Sequence, residues 1–256
     1  MVEQKKPFDR KSGGFNRGGP GKFNKRPVRS KAEIEKMRNE RLAQQHAEHL
    51  DNWRPRTKLG KLVRAGKVKD IDEVLKQKVL EPEIIDLLIN LKSDVLNIGQ
   101  AKGKFGGGKR RAWRQTQKKT SEGNVPTFSC MAVVGNGDGY VGLGYGRAKE
   151  TLPARAKAIR KAKLNLRKIN RNCASFDCTC GEAHSVPFIV EGKMGSCKVK
   201  LMPAAQGTGL VIGDECKKIL RMAGVKDVYS VTNGKIRTTI NLAKACIEAL
   251  DKTVRE

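Results

Sequence analysis

The sequence predicts an α+β fold preceded by a basic extension, and three observations predict it. An apolar stretch from Phe128 to Val134 runs into Gly135, Asn136, Gly137, Asp138 and Gly139 and resumes from Tyr140 to Tyr145. Asn-Gly and Asp-Gly suit tight hairpin turns because they tolerate positive φ. A helical pattern follows the hairpin directly. Farther on, the periodicities read strand, strand, helix, strand, helix, which is α+β order rather than regular alternation.

Charge bounds the function. Lys and Arg number 53 against 26 Asp and Glu, a net +27 in 256 residues. Self-repulsion of that size calls for a polyanionic partner, nucleic acid first and an anionic membrane surface second. No apolar run approaches the ~20 residues of a spanning helix. The basic N-terminus lacks the apolar core of a secretory signal. The chain is therefore expected to be soluble and intracellular, with no membrane association. Seven cysteines in such a chain point to thiols or a metal site rather than disulfides.

Residues 1–30 are rich in Gly, Lys, Arg and Asn, with Phe8, Phe15 and Phe23 isolated among them. That composition cannot offset chain entropy by burial, so a disordered tail is expected, either solvated or in loose contact with nucleic acid. Residues 31–50 read as a polar helix with Ser30 as N-cap, completing an extension over 1–50. Residues 51–92 hold Trp53 among cations, then two short helices, IDEVL and PEIIDLLINL, parted before Pro82. Asp70 is placed to cap the first, and the second is apolar enough to dock on a core or a partner.

Residues 102–119 carry eight cations and no acid. Lys104, Lys109, Arg110, Arg111, Arg114, Lys118 and Lys119 are candidate RNA contacts, on a loop expected to order when RNA binds. In the second hairpin strand, the alternate Gly142, Gly144 and Gly146 leave one face bare, so a backbone or a phosphate can come close. Arg147 and Lys149 lie at the strand's exit. In the helix that follows, Leu152, Ala156, Ile159, Ala162, Leu166 and Ile169 share an apolar face. Lys157, Arg160, Lys161, Lys168 and Arg171 fall on the opposite face. Such a stripe is either a solvated surface or a row of phosphate contacts, and the charge of the whole chain favours the second.

Next comes Cys173, Cys178, Cys180 and His184, spaced Cys-x-x-x-x-Cys-x-Cys-x-x-x-His. Three thiols and an imidazole make a complete tetrahedral set for zinc, and thiolates exclude magnesium and calcium. The other reading is loop thiols, with His184 hydrogen-bonded or facing RNA. No base and orienting partner accompany these cysteines, so a catalytic thiol is not expected. Cys130, Cys197, Cys216 and Cys246 sit among apolar residues and read as core.

In the last third, Val186, Phe188 and Val190 alternate, Gly192 to Gly195 turns the chain, and Cys197, Val199 and Leu201 alternate again. After PAAQGTG, a helix runs from Asp214 to Met222 and stops at Gly224. A strand from Val225 to Val231 turns at Asn233-Gly234. Asn241 is placed to cap a final helix that buries Ala243, Ile247 and Leu250.

Several motifs in this order, GNGDGYVGLGYGRAKE with its basic helix, HSVPF, GKMGSCKVKLMPA, GTGLVIG and AGVKDVYS, resemble the universal small-subunit ribosomal protein S-five family. WRPRTKLGKLVRAGKVKDIDEVL and LEPEIIDLL are similar to the N-terminal extension of its archaeal and eukaryotic branch, and the Cys-rich insert resembles archaeal members. The resemblance spans roughly residues 51 to 252. It implies a double-stranded-RNA-binding-like domain over 93–169, a Cys-rich linker over 170–184, and a C-terminal α+β domain with a left-handed crossover over 185–256. It further implies binding to small-subunit rRNA in the cytoplasm and contacts with the S-four and S-three families. The expected position is beside the channel by which mRNA enters, with a role in decoding accuracy and no homo-oligomer.

Gln117, Lys118 and Thr120 match the family's motif before a loop ending at Phe128. That loop commonly carries Gly-Arg-Arg, whereas Gly123, Asn124 and Val125 stand here, and Gln206 stands where archaeal relatives have Arg. Two rivals come from other classes. One is an enzyme, since PAAQGTGLVIG resembles the glycine-rich phosphate loop of small-molecule kinases, but its paired serines are absent. The other is a free-standing double-stranded-RNA-binding regulatory protein.

Overall fold

The computed structural model describes residue 30, part of 33–50, residues 51–100 and residues 110–254. The basic tail before Ser30, together with Lys104 and Lys109, lies outside the described residues. The chain divides into two compact units, one ending at Asp51 and one beginning at Asn52. In the first, Ser30 Oγ accepts from the Glu33 amide at 3.2 Å while Glu33 Oε2 accepts from the Ser30 amide at 3.0 Å. This reciprocal capping box opens the expected helix, whose described residues fall between 33 and 51.

The second unit is mixed α+β, with two sheets. It begins with three short helices, α1 (Lys58–Arg64), α2 (Ile71–Lys76) and α3 (Pro82–Leu88). Thr57 Oγ1 caps α1 by accepting from the Gly60 amide, and Pro82 sits in the first turn of α3, where its missing N–H costs nothing. Asp70 stands at the cap of α2 without a side-chain bond to it. Val74, Ile84 and Ile85 are fully buried against Leu166 and Tyr140. The apolar second helix of the extension thus docks on the body of the protein.

The first sheet runs β1 (Lys92–Leu96), β3 (Gly123–Gly135), β4 (Tyr140–Ala148), β5 (Leu166–Lys168), and β2 (Arg114–Thr120) pairs with the outer half of β3. Two sequence expectations are corrected here. Arg114 to Lys119 are strand residues, not a basic loop, and the segment up to Phe128 is a hairpin turning at Ser121 and Glu122. The reason is pairing: Thr116 and Thr127 face each other with hydroxyls 2.7 Å apart, and β-branched cross-strand pairs favour a ladder. Trp113 packs beside the cluster of Cys130, Ala132, Ala154 and Ala158 instead of standing free to stack on a base.

The helix after β4 is α4 (Thr151–Leu164). Its buried face is Ala154, Ala158 and Ala162, while Leu152 is 75% exposed and Ala156 is exposed. The apolar face expected from Leu and Ile spacing is therefore wrong by part of a turn. The cause is the glycine strand. A Cβ at Gly142, Gly144 or Gly146 would lie 2.2, 2.1 or 2.2 Å from the carbonyl oxygens of Ala162, Ala158 and Ala154. The helix sits so close that only alanine fits between the backbones. Leu166 and Lys168 have already left the helix for β5, and Arg171 lies beyond it.

The second sheet runs β6 (Val190–Met194), β7 (Cys197–Pro203), β9 (Val228–Asn233), β8 (Leu210–Val211), with β8 parallel to β9. Helices α5 (Asp214–Ala223) and α6 (Thr239–Asp251) pack on it. Gly224 ends α5 at φ 83°, as expected. Gly192 belongs to β6, not to the turn, which falls at Gly195 and Ser196. Its bare face admits α6, because a Cβ there would meet Ala245 O at 2.0 Å. α6 begins at Thr239 rather than behind Asn241, and it buries Ala243, Ile247 and Leu250. Met131 and Val133 from β3 share one core with Leu201, Ile219, Leu220 and Leu250, each worth about 2 kcal/mol of apolar burial. Cys130, Cys197, Cys216 and Cys246 are all buried, as their apolar settings imply.

Candidate metal centre and nucleic-acid interface

The four candidate metal ligands converge. The donor atoms of Cys173, Cys178, Cys180 and His184 all lie within 4.8 Å of one another. Cys178 Sγ is 3.3 Å from Cys180 Sγ and 3.6 Å from His184 Nε2, and Cys180 Sγ is 3.6 Å from Cys173 Sγ. Ligands on a tetrahedral zinc, with Zn–S near 2.3 Å, stand about 3.8 Å apart, so the set fits that ion. The supports are short-range. The Cys178 amide donates to Ser175 O, and Asn172 and Ser185 exchange both backbone bonds, closing the insert at its base.

His184 is 1% exposed, and its Nδ1 lies 2.9 Å from Asp227 Oδ2, off the axis of a hydrogen bond. A metal-binding imidazole backed by a carboxylate is the arrangement that orients the ring. The other oxygen of Asp227 accepts from the Gly207 and Gly209 amides at 3.1 and 2.8 Å, and the Lys226 amide donates to His184 O at 2.8 Å. The cluster is thus anchored on the loop before β8, a support that sequence reasoning missed. Only the Asp in AGVKDVYS could have signalled it.

The thiols are electrostatically unequal. Amides of Cys180 and Gln206, hydrogen-bonded to its sulfur, bring the Cys178 thiol down to about 6. The Glu182 amide pulls Cys180 the same way, yet desolvation and the neighbouring sulfurs win and push it up to about 11. A divalent cation at the centre would let all of them ionise.

The candidate RNA-binding cations fall on two sides of the first sheet. Residues paired across strands share a face. Arg114 pairs with Ser129, and Ser129 with Arg147, so the two arginines lie on the face that also carries Lys118, while Lys119 points the opposite way. Arg147 is held by its bond to Thr127 Oγ1 at 2.9 Å. On the other side, Lys157, Arg160 and Lys161 are exposed along α4 with no ion pair among the described residues. Arg110, Arg111 and Lys149 are exposed beyond the strand ends. Lys168 belongs with neither group. It sits on β5 and bonds Asp72 at 2.6 Å.

Three apolar clusters, a glycine strand seated against a basic helix and exposed cations on two sides of the first sheet describe a basic protein of mixed α+β fold, of the kind that holds a polyanion such as RNA. Comparison with known proteins carries this further. The family model for ribosomal protein S5, N-terminal domain, matches residues 112–170, and that for its C-terminal domain matches residues 192–255. The chain is 46% identical over 207 residues to the small ribosomal subunit protein uS5 of Nanoarchaeum equitans, covering 80% of this chain and 89% of that protein. It is 48% identical over 204 residues to that of Thermofilum pendens, covering 78% and 94%. Against that of Aeropyrum pernix it is 46% identical over 209 residues, covering 80% and 89%. The chain belongs to the ribosomal protein S5 family, which is structural and not enzymatic. These relatives give no support to a free-standing regulatory protein.

Proposed function

We propose that the chain is a constituent of the small ribosomal subunit in the cytoplasm, holding small-subunit rRNA through its two cationic surfaces. The observation that carries this reading is a net charge of +27, with Arg114, Lys118 and Arg147 on one side of the sheet and Lys157, Arg160 and Lys161 on the other. Contacts of this kind position a protein on phosphates without reading sequence. In this reading, residues 93–169 act as a double-stranded-RNA-binding-like domain and residues 185–256 as an α+β domain with a left-handed crossover. The linker 170–184 carries one zinc ion, held by Cys173, Cys178, Cys180 and His184, as a closed structural site. The helices of the 51–92 extension stay docked on the body.

The neighbours are proteins of the S-four and S-three families, the position is beside the channel that admits mRNA, and the protein supports decoding accuracy without forming a homo-oligomer. The hairpin tip that would serve decoding turns at Ser121 and Glu122, and Gly123, Asn124 and Val125 at the start of β3 bring it no cation, so Lys118 and Lys119, paired with Val125 and Asn124, supply its charge. The test is co-sedimentation with small subunits after a high-salt wash. Retention is expected. Release of the protein with the wash, leaving intact subunits behind, counts against the reading.

A further inference from the structure

We infer that a cleft between Arg110, Arg114 and Arg237 binds one unpaired nucleotide of an RNA strand, with the base in an adjoining apolar slot. This rests on the rRNA-binding reading and names a contact within it. The cleft has a volume of about 720 Å³, and its lining includes all three arginines with Thr238 and Asn241. The slot measures about 170 Å³ and is walled by Ile212, Cys216, Ile236 and Leu242, and Arg110 and Arg237 border it as well. At about 30 Å³ per water, it is roomy enough for a flat ring yet offers a water few polar partners.

The electrostatics favour a phosphate. Among the described residues no carboxylate lines either space, and none of the three guanidinium groups has an ion-pair partner. The nearby acids of α5 are engaged elsewhere. Glu215 accepts from the Asn97 amide at 2.7 Å, and Asp214 lies 3.7 Å from Lys217. Three guanidinium groups around one opening repel one another until an anion arrives, and planar forks suit phosphate oxygens. Thr239 to Asn241, at the N-terminus of the 13-residue α6, line the same cleft, with the Thr239 and Asn241 amides already donating to Arg237 O and Thr238 O at 3.0 Å.

The backbone presents these groups rigidly. The Gly99 amide donates to Arg111 O at 2.8 Å, and a Cβ at Gly99 would sit 2.3 Å from Trp113 O. Only glycine lets the segment that runs from Arg110 into β2 at Arg114 cross there. Arg237 rides on a turn fixed by Gly234 at φ 86° and by Thr238 Oγ1 donating to Lys235 O at 2.7 Å. Ile236, at the slot's mouth, is 44% exposed. Phosphate clamp, apolar slot and shared arginines together match a base that has left its stack, the form in which RNA is read beyond its backbone.

The test uses the full-length protein with labelled Ile and Leu methyl groups. It is titrated with a short single-stranded RNA of mixed sequence and, separately, with an abasic phosphodiester chain of the same length. Ring currents of a seated base are expected to move the Ile212, Ile236 and Leu242 methyls upfield with the RNA only. Ile236→Asp should erase those shifts with an unchanged thermal midpoint. Arg237→Gln should weaken binding of both chains and flatten the slope of log K against log salt by about 1. Saturated RNA binding with silent slot methyls, or equal shifts with the abasic chain, overturns the inference while leaving the rRNA reading intact. Absence of any RNA binding overturns both.

Discussion

Replacing Gly144 with alanine tests the seating of the basic helix directly. The new Cβ would lie 2.1 Å from Ala158 O and 2.3 Å from Ala162 N. Carbon contacts are comfortable at about 3.5 Å and beyond, so α4 must retreat by more than ~1 Å, and a gap of that size forfeits up to half of each dispersion contact. Both clashing atoms are backbone, so no rotamer change relieves them. The loss should reach the upper end of overpacking costs, about 3 kcal/mol. For a chain of this size that lowers the thermal midpoint by about 6–12 °C. Gly213→Ala is the control, because its Cβ would meet nothing within 4 Å and its φ is −61°. Because Gly213 is the N-cap of α5, where alanine is less favoured, its effect should be about 1 kcal/mol at most, well short of the Gly144 loss. Urea unfolding at constant slope reads both. A Gly144→Ala loss under about 1 kcal/mol would mean that the helix is not seated on the glycine strand, and the placement of Lys157 and Lys161 would fall with it.

Binding to naked rRNA should weaken steeply with salt, with a slope near −7 if about 8 phosphates are neutralised. Lys157→Gln with Lys161→Gln should flatten that slope by about 2 and leave circular dichroism unchanged, since both side chains are exposed; loss of the folded signal would contradict their placement. Elemental analysis should find zinc bound to the wild type and absent after Cys178→Ser with Cys180→Ser, and Asp227→Asn should weaken zinc by about 10–100-fold. A zinc content unaffected by the two serines would refute the ligand set. Because Cys180 sits at about 11 and Cys178 at about 6, zinc must displace a proton from Cys180 at neutral pH. Affinity should fall as pH falls, more steeply once Cys178 also protonates. Lys168 and then Tyr140, both bonded to Asp72, hold its carboxyl below the ordinary aspartate value. A depressed carboxyl stabilises above its unfolded value and loses that contribution as pH falls through the folded one. The difference between wild type and Asp72→Asn in urea midpoint should therefore be flat at neutral pH and vanish in acid. It should correspond to under ~1 kcal/mol, because the pair is half exposed. A difference that widens on acidification would show that Asp72 is not the group responsible.

Legibility followed the range of the signal. The central hairpin was readable because Asn136, Gly137, Asp138 and Gly139 encode their own turn, and Gly224 marked the end of α5 in the same local way. The four zinc-type ligands were readable because they fall within twelve residues. The buried face of α4 was not, because alanines 154, 158 and 162 carry little hydrophobic signal alone and become the core only against glycines 142, 144 and 146. Gly192 was misread for the same reason, as its packing partner lies in α6. Strands β1 and β8 have weak periodicity of their own and exist through their ladders with β3 and β9. Asp227 and Arg237 are single residues whose meaning depends on what lies across a loop, and a linear pattern does not carry that.

The run of cations from Lys157 to Lys168 shows how one basic stretch serves two purposes. Its later members meet carboxylates: Lys163 lies 2.6 Å from Asp86 of α3, Arg167 2.8 Å from Asp251 of α6, and Lys168 2.6 Å from Asp72 of α2. These three pairs tie the helical extension and the last helix to α4 and β5. Each is worth at most about 1 kcal/mol where exposed, so they fix orientation more than they add stability. The earlier members, Lys157, Arg160 and Lys161, meet no carboxylate among the described residues and keep their charge for an outside partner. Sequence alone merges the two sets, because both are Lys and Arg at helical spacing. The break comes between Lys161 and Lys163 in the last turn of α4, and past Asn165 the chain enters β5 and carries Arg167 and Lys168 toward acids placed far away in sequence. Neutralising the later set should therefore loosen the extension while sparing RNA affinity, and neutralising the earlier set should do the reverse. Limited proteolysis of the 52–92 segment, read beside the salt slope, separates the two, and a parallel loss of both properties in either variant would dissolve the distinction.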